Sequence, residues 1–233
     1  MLSAPPAAAP AAEAEPAPPV YATLLAPAAT LHYSLHRGAA TGSALLQWAP
    51  DAGRYALSLR SQMSATPGID WASLGAIDAH GIAPDRYTES RRGRERRAAN
   101  FQRDSARITF SGPQRQHALP PGAQDRLSWM LQLGAVIAAN PSLQEPGRQV
   151  RLFVVGSRGD AEVWTFVVQG LEDIELPGAA SAQALHLRRE ARHLYDTLAQ
   201  VWLDPARHHL PLRIQLTGHN EVTEFVLERL TLP

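Results

Sequence analysis

Hydrophobic alternation with a period of two, repeated in short runs divided by turn residues, constrains this chain more than any other feature. Leu31, Tyr33 and Leu35 lie on one side of their run while His32, Ser34 and His36 lie on the other. Tyr55, Leu57 and Leu59 alternate with Ala56, Ser58 and Arg60; Leu212, Ile214 and Leu216 alternate with Arg213, Gln215 and Thr217. Thr223, Phe225 and Leu227 close the chain the same way. Successive side chains of a strand point to opposite faces, so these runs read as half-buried strands. Val163, Thr165 and Val167 alternate with Trp164, Phe166 and Val168, which makes both faces largely apolar and predicts a central strand. Turn signals such as "HRGAATG", "APDAGR", "HGIAPD", "RRGRE", "GSRGD" and "TGHNE" separate the runs at short intervals. About ten strands in hairpin succession predict an antiparallel meander, and a meander that long must curl to bury its inner face.

The segment "GAQDRLSWMLQLGAVIAAN" breaks the alternation. Its apolar positions at Leu127, Met130, Leu131, Gly134, Ile137 and Ala138 have helical spacing, and Trp129, Leu133 and Val136 fall outside that stripe. Only Gln124, Ser128 and Gln132, four apart, form a polar strip, so the helix is apolar around most of its circumference and belongs inside a protein. Pro120 and Pro121 precede it and Asn140-Pro141 ends it. The expected fold is therefore mainly β: a curled antiparallel meander, or half-barrel, gripping one buried apolar helix over residues 124–139.

Residues 1–28 are mostly alanine and proline, carry few of the large apolar groups that offset chain entropy, and read as a disordered linker; residues 29–233 read as a single domain. A linker in that position has two readings: a spacer behind an export or anchoring segment upstream, which would place the protein in the periplasm or envelope, or a native disordered tail. No apolar run approaches the roughly 18 residues a transmembrane helix needs. Cysteine is absent, which excludes disulfides, thiol catalysis and thiolate metal sites. Formal net charge is zero, so no global field holds a polyanion. All 22 basic residues are arginine.

Three pieces, "SLGAIDAHGIAPDRYTESRRGR", "LPPGAQDRLSWMLQLG" and "VWLDPARHHLPLRIQL", occur in an order that resembles the exported bacterial family of unknown function numbered 3108. The resemblance runs over residues 29–232. It implies a Gram-negative source, an export or membrane segment followed by a proline-rich spacer, and a half-barrel similar to that of periplasmic lipoprotein carriers. It implies no reaction and no catalytic residue.

Motifs for known chemistry are missing: there is no G-x-S-x-G, H-E-x-x-H, P-loop or G-x-G-x-x-G. No cofactor is expected. His208-His209 sit in a proline-bounded turn and read as structural rather than metal-binding. His186, Arg188 and Glu190, with Asp196 downstream, read as a polar outer face rather than an acid–base set. The "RGD" at 158–160 reads as a turn. Asp125 suits the first turn of a helix through the dipole, and Arg126 has a second reading as guard of a cavity mouth. In "ESRRGRERR", Arg91, Arg92, Arg94, Arg96 and Arg97 flank a turn glycine. A solvated, aggregation-resistant hairpin explains them best, with anionic lipid head groups or lipopolysaccharide phosphates as the second reading. Nucleic acid is disfavoured because no aromatic residues interleave for base stacking.

The expectation from these features is a non-enzymatic envelope protein binding a lipid, an acylated group or another apolar ligand in a half-barrel cavity. Trp129, Leu133, Val136 and Arg126 are its candidate ligand residues. A solid-cored interaction scaffold is the alternative, and an envelope glycan hydrolase, for which no carboxylate pair speaks, is the third.

Overall fold

The computed structural model describes residues 18–64, 67–177, 181–193, 196–218 and 221–233. The N-terminal half of the sheet comprises β1 (Ala29–Arg37), β2 (Ala40–Asp51), β3 (Arg54–Met63), β4 (Asp70–Asp78), β5 (Gly81–Arg91), β6 (Arg94–Gln102), β7 (Arg107–Phe110) and β8 (His117–Ala118). After β9 (Gln124–Asp125) and helix α1 (Trp129–Ala139) come β10 (Gln149–Val155), β11 (Ala161–Ile174), β12 (Ala182–Arg189), β13 (Leu198–Asp204), β14 (Leu210–Gly218) and β15 (Glu221–Thr231). They form one sheet of 15 strands in the order β8-β7-β6-β5-β4-β3-β2-β1-β15-β14-β13-β12-β11-β10-β9. All neighbours are antiparallel except β9, which pairs parallel to β10. The first and last strands meet in the middle of the sheet, Leu31 opposite Leu230 and Leu35 opposite Phe225.

The alternating runs became strands as their pattern required. Leu31, Tyr33, Leu35, Leu57, Leu59, Leu212, Ile214 and Phe225 are buried, while the residues between them are half-buried or exposed. Each such large apolar side chain contributes about 1.5–3 kcal/mol on leaving water. The expected count of about ten strands is corrected to fifteen. The extra strands carry weak alternation: Gly81, Ile82, Ala83 and Pro84 of β5 are all buried, the first four residues of β6 are all exposed, and β8 and β9 span two residues each. The "central" reading of residues 163–168 is also corrected. β11 is third from the β9 end of the sheet, with Trp164, Phe166 and Val168 buried and Thr165 and Val167 only half-buried.

The helix is buried as its composition demands, with every residue from Trp129 to Ile137 inaccessible or nearly so. Trp129 stacks on Phe166 with ring centroids 5.0 Å apart and lies 5.6 Å from Trp164. Helical geometry starts at Trp129, however, not at Gln124, because residues 124–125 pair with β10 and 126–128 turn. The polar strip does not face water. Gln124 donates through Nε2 to the carbonyl of Ile82 (2.7 Å); Gln132 donates to the carbonyl of His80 (2.7 Å) and accepts from the Ile82 N–H (2.9 Å). Two buried amides thereby satisfy backbone groups of the β4–β5 hairpin, where they would otherwise be costly. Gly81 is required there: at φ +91, a Cβ would lie 2.6 Å from Gln132 Oε1.

These contacts bring β9 against β5, and His117 Nε2 meets the Gly159 carbonyl at 2.9 Å, so the sheet curls until its two ends nearly touch. Residues 18–28, assigned by sequence to the linker, run across the helix instead. The Leu24 N–H donates to the Ala135 carbonyl, Trp48 Nε1 to the Ala26 carbonyl, and the Arg151 N–H to Tyr21 Oη. The folded body thus reaches back before Ala29; residues 1–17 of the expected linker lie outside the described residues.

Candidate functional site

The strand ends after β10, β12 and β14 and before β11, β13 and β15 gather at one mouth of the curled sheet, around a cleft of about 780 Å³. Beneath it lie Trp129 and Trp164, which are essentially inaccessible. Arg126, leaving β9, donates to Asp160 Oδ2 at 2.6 Å and lies 4.5 Å from the centre of the Trp164 ring. Arg189, the last residue of β12, lies 4.3 Å from the same ring and donates to Asp196 Oδ2 at 2.7 Å, with Glu162 Oε1 at 3.3 Å. It also donates to the Thr197 carbonyl. Trp164 Nε1 donates to Glu162 Oε1 at 3.1 Å.

Every one of these carboxylates is neutralised where it stands. Burial opposes ionisation of Asp196, but hydrogen bonds from the Arg192 N–H and the Arg189 guanidinium hold its carboxyl below the usual range. Burial also pulls Arg189 below its ordinary value, against the pull of Asp196 and Glu162. A carboxylate pinned as an anion is a poor proton donor, which tells against Asp196 as a general acid. Glu162, His193 and Asp196 place potential ligand atoms within 4.8 Å of one another. A divalent ion there would have to displace the buried Arg189 guanidinium from both carboxylates, so the residues do not fit a metal site.

One described carboxyl has the raised affinity for protons expected of an acid, and it is sealed from solvent. Burial pushes Asp125 up to about 6 even though Ser73 Oγ (2.5 Å) and the N–H groups of Leu127 and Ser128 donate to it. Tyr55 Oη completes the chain by donating to Ser73 Oγ at 2.7 Å. Ser128 Oγ accepts from the Asp125 N–H at 2.9 Å, so Asp125 and Ser128 cap each other's backbone and turn the chain into α1. The contribution of Asp125 is local hydrogen bonding rather than the helix dipole alone.

Residues 30–219 match the family model described as "Protein of unknown function (DUF3108)". The chain belongs to that family. No curated protein matches it. Among solved structures it is similar to the crystal structure of a beta-barrel-like protein of domain of unknown function DUF1849 from Brucella abortus. The two share 14% identity with a TM-score of 0.60, over 91% of this chain and 100% of that one. At that identity the likeness shows the fold: a mainly β, barrel-like sheet. The family pieces "HGIAPD" and "QDRLS" are where Gly81, Ile82, Gln124, Asp125 and Ser128 interlock, which gives them a structural role.

Of the expected ligand residues, Arg126 and Trp129 come together at the mouth, while Leu133 and Val136 lie in the packed core and border neither this cleft nor the second one described below. The conceivable acid–base set is split. His186 is on the outer face, its Nδ1 2.7 Å from Glu172 and its ring stacked 4.3 Å from Trp202, whereas Asp196 is at the mouth. His208 and His209 both adopt left-handed backbone at φ 55 and 53; His209 is buried, and burial pulls its imidazole below the ordinary range. Arg91, Arg92, Arg94, Arg96 and Arg97 are all exposed on the β5–β6 hairpin. Asp160, Glu162 and Arg189 were not singled out by sequence reasoning. One signal was present: Arg189 continues the inward register of Leu185 and Leu187, where an arginine needs a partner.

Proposed function

We propose that the protein is a non-enzymatic interaction module of the cell envelope, with a solid core, that engages its partner at the mouth cleft. The observation that carries this is the occupied interior: α1 fills the space an acyl chain would need, with Trp129, Leu133, Val136 and Ile137 at 0% exposure. The mouth, by contrast, offers groups of both signs. Arg115 and Arg158 are exposed there without an ion-pair partner among the described residues, and Glu221 is exposed on the opposite rim. Such a rim suits a partner surface that also carries both signs. The envelope location rests on the family resemblance, and cell fractionation checks it.

A photo-crosslinking residue at Arg158, set against one at exposed Leu74 on the outer surface, tests the mouth in cells. A discrete adduct from position 158 alone is expected. Native mass spectrometry of cell-purified protein, with a fluorescent fatty-acid titration, tests the core. Co-purified lipid or saturable micromolar probe binding would restore the carrier reading and overturn this one.

A further inference from the structure

A second cleft lies away from the mouth, where the β5–β6 tip meets β1–β3 and the segment before β4. This cleft is about 880 Å³, large enough for a head-group-sized ligand and far larger than an inorganic ion. Arg91 and Arg92 border it from the hairpin and Arg60 borders it from β3, with the hydroxyl of Ser64 nearby and with Asp70 and Glu228 also on its lining. No ion pair or hydrogen bond engages the Arg60, Arg91 or Arg92 side chain among the described residues, and the same holds for Arg94, Arg96 and Arg97. Of the two acids nearest in sequence, Glu95 is held by Arg86 at 2.7 Å, and Glu89 accepts from Tyr87 Oη at 3.3 Å and borders the mouth cleft instead. Several arginines elsewhere have carboxylates: Arg54 has Asp85, Arg148 has Glu145 and Arg213 has Glu224.

The hairpin turn itself does not call for arginine. Arg92 and Gly93 are its two central residues, both left-handed at φ 53 and 69, a geometry for which asparagine followed by glycine is preferred. Folding alone would favour another residue at position 92.

We infer that this cleft binds a phosphate-bearing, multiply anionic ligand through Arg60, Arg91 and Arg92. Planar guanidinium groups pair bidentately with phosphate oxygens, and three of them on two walls of one cleft match an anion with more than one phosphoryl group. A single-stranded nucleic acid is disfavoured because the lining holds no phenylalanine or tryptophan and its one tyrosine, Tyr33, is buried at 1% exposure. The phosphate has two sources with the same chemistry, a lipid head group at a membrane surface or a soluble phosphorylated compound.

Calorimetric titration of inorganic pyrophosphate into the full chain tests the site, beside co-sedimentation with phosphatidylglycerol-containing vesicles and with pure phosphatidylcholine vesicles. Saturable pyrophosphate binding is expected, weakening as salt rises. Arg60→Gln, Arg91→Gln and Arg92→Asn should each weaken it about tenfold, and Arg148→Gln should leave it unchanged. Arg92→Asn suits the turn and should not lower the melting temperature, so its loss of binding cannot be attributed to misfolding. Anionic vesicles bound by wild type and released by the variants identify a head group as the source; pyrophosphate binding without vesicle binding identifies a soluble compound. Binding of neither probe, binding that survives the three substitutions together, or tighter binding of single-stranded DNA than of either probe would overturn the inference.

Discussion

At the mouth, Arg126 and Arg189 lie over Trp164 and hold Asp160, Glu162 and Asp196, whereas at the β5–β6 tip Arg91 and Arg92 face an open cleft and make no ion pair among the described residues. The same residue type is used in two ways, and burial distinguishes them. Arg189 is 1% exposed, so its charge must be matched inside the protein. Arg91 and Arg92 are hydrated, so leaving them unmatched costs the fold little. The paired arginines therefore report on stability and the unpaired ones on binding.

The comparison breaks most visibly if its structural side proves dispensable. Trp129→Ala removes a fully buried indole stacked on Phe166 and should cost about 3–5 kcal/mol in chemical denaturation, without changing pyrophosphate binding. Arg189→Ala strands Asp196 without its cation, leaves Glu162 only Arg126 at 3.8 Å, and should cost about 3 kcal/mol, again with pyrophosphate binding intact. If either variant unfolds as the wild type does, the mouth cluster is not structural and its charges become available for a ligand.

Asp125 sharpens the buried side through pH. Its folded value, about 6, lies above the ordinary 3.8, so the folded state holds the proton more tightly than the unfolded chain. That contribution is fully present below about pH 4, falls as pH rises through about 6, and amounts to roughly 3 kcal/mol. Asp196 and Glu172, held low, act in the opposite sense as pH falls. The stability difference between wild type and Asp125→Asn, followed from pH 4 to pH 7, isolates the Asp125 part. A flat difference would show that the carboxyl ionises freely. The smallest effect is on the exposed side: Arg92→Asn should stabilise the protein by about 1 kcal/mol through relief of left-handed strain, while pyrophosphate affinity falls.

Much of the fold was legible because period-two burial leaves a direct trace, as in Leu31, Tyr33 and Leu35, and because Trp129 to Ile137 are apolar on nearly every side. The missing strands left no such trace. β5 buries four consecutive residues against the glutamines of the helix entry, and β9 is defined by its pairing with β10 rather than by its own two residues. Gln124 and Gln132 gave a polar strip whose meaning depends on a hairpin more than 40 residues away. The mouth cluster was illegible for the same reason, since Arg126, Asp160, Glu162, Arg189 and Asp196 meet only when three strand ends converge. The hairpin arginines were plain in sequence, but the opposing Arg60 and the cleft between them were not.

The pairing of β1 with β15 has a consequence for synthesis. Chain emerges from the ribosome in order, so β1 through β8 can zip together long before the partner of β1 exists. Until β15 arrives, β1 remains an open edge with Leu31, Tyr33 and Leu35 uncovered on its inner face, the kind of strand other chains add to. The nascent protein must keep that edge from neighbouring chains until β15 has been made, and the docking of β15 is the step that ends its exposure.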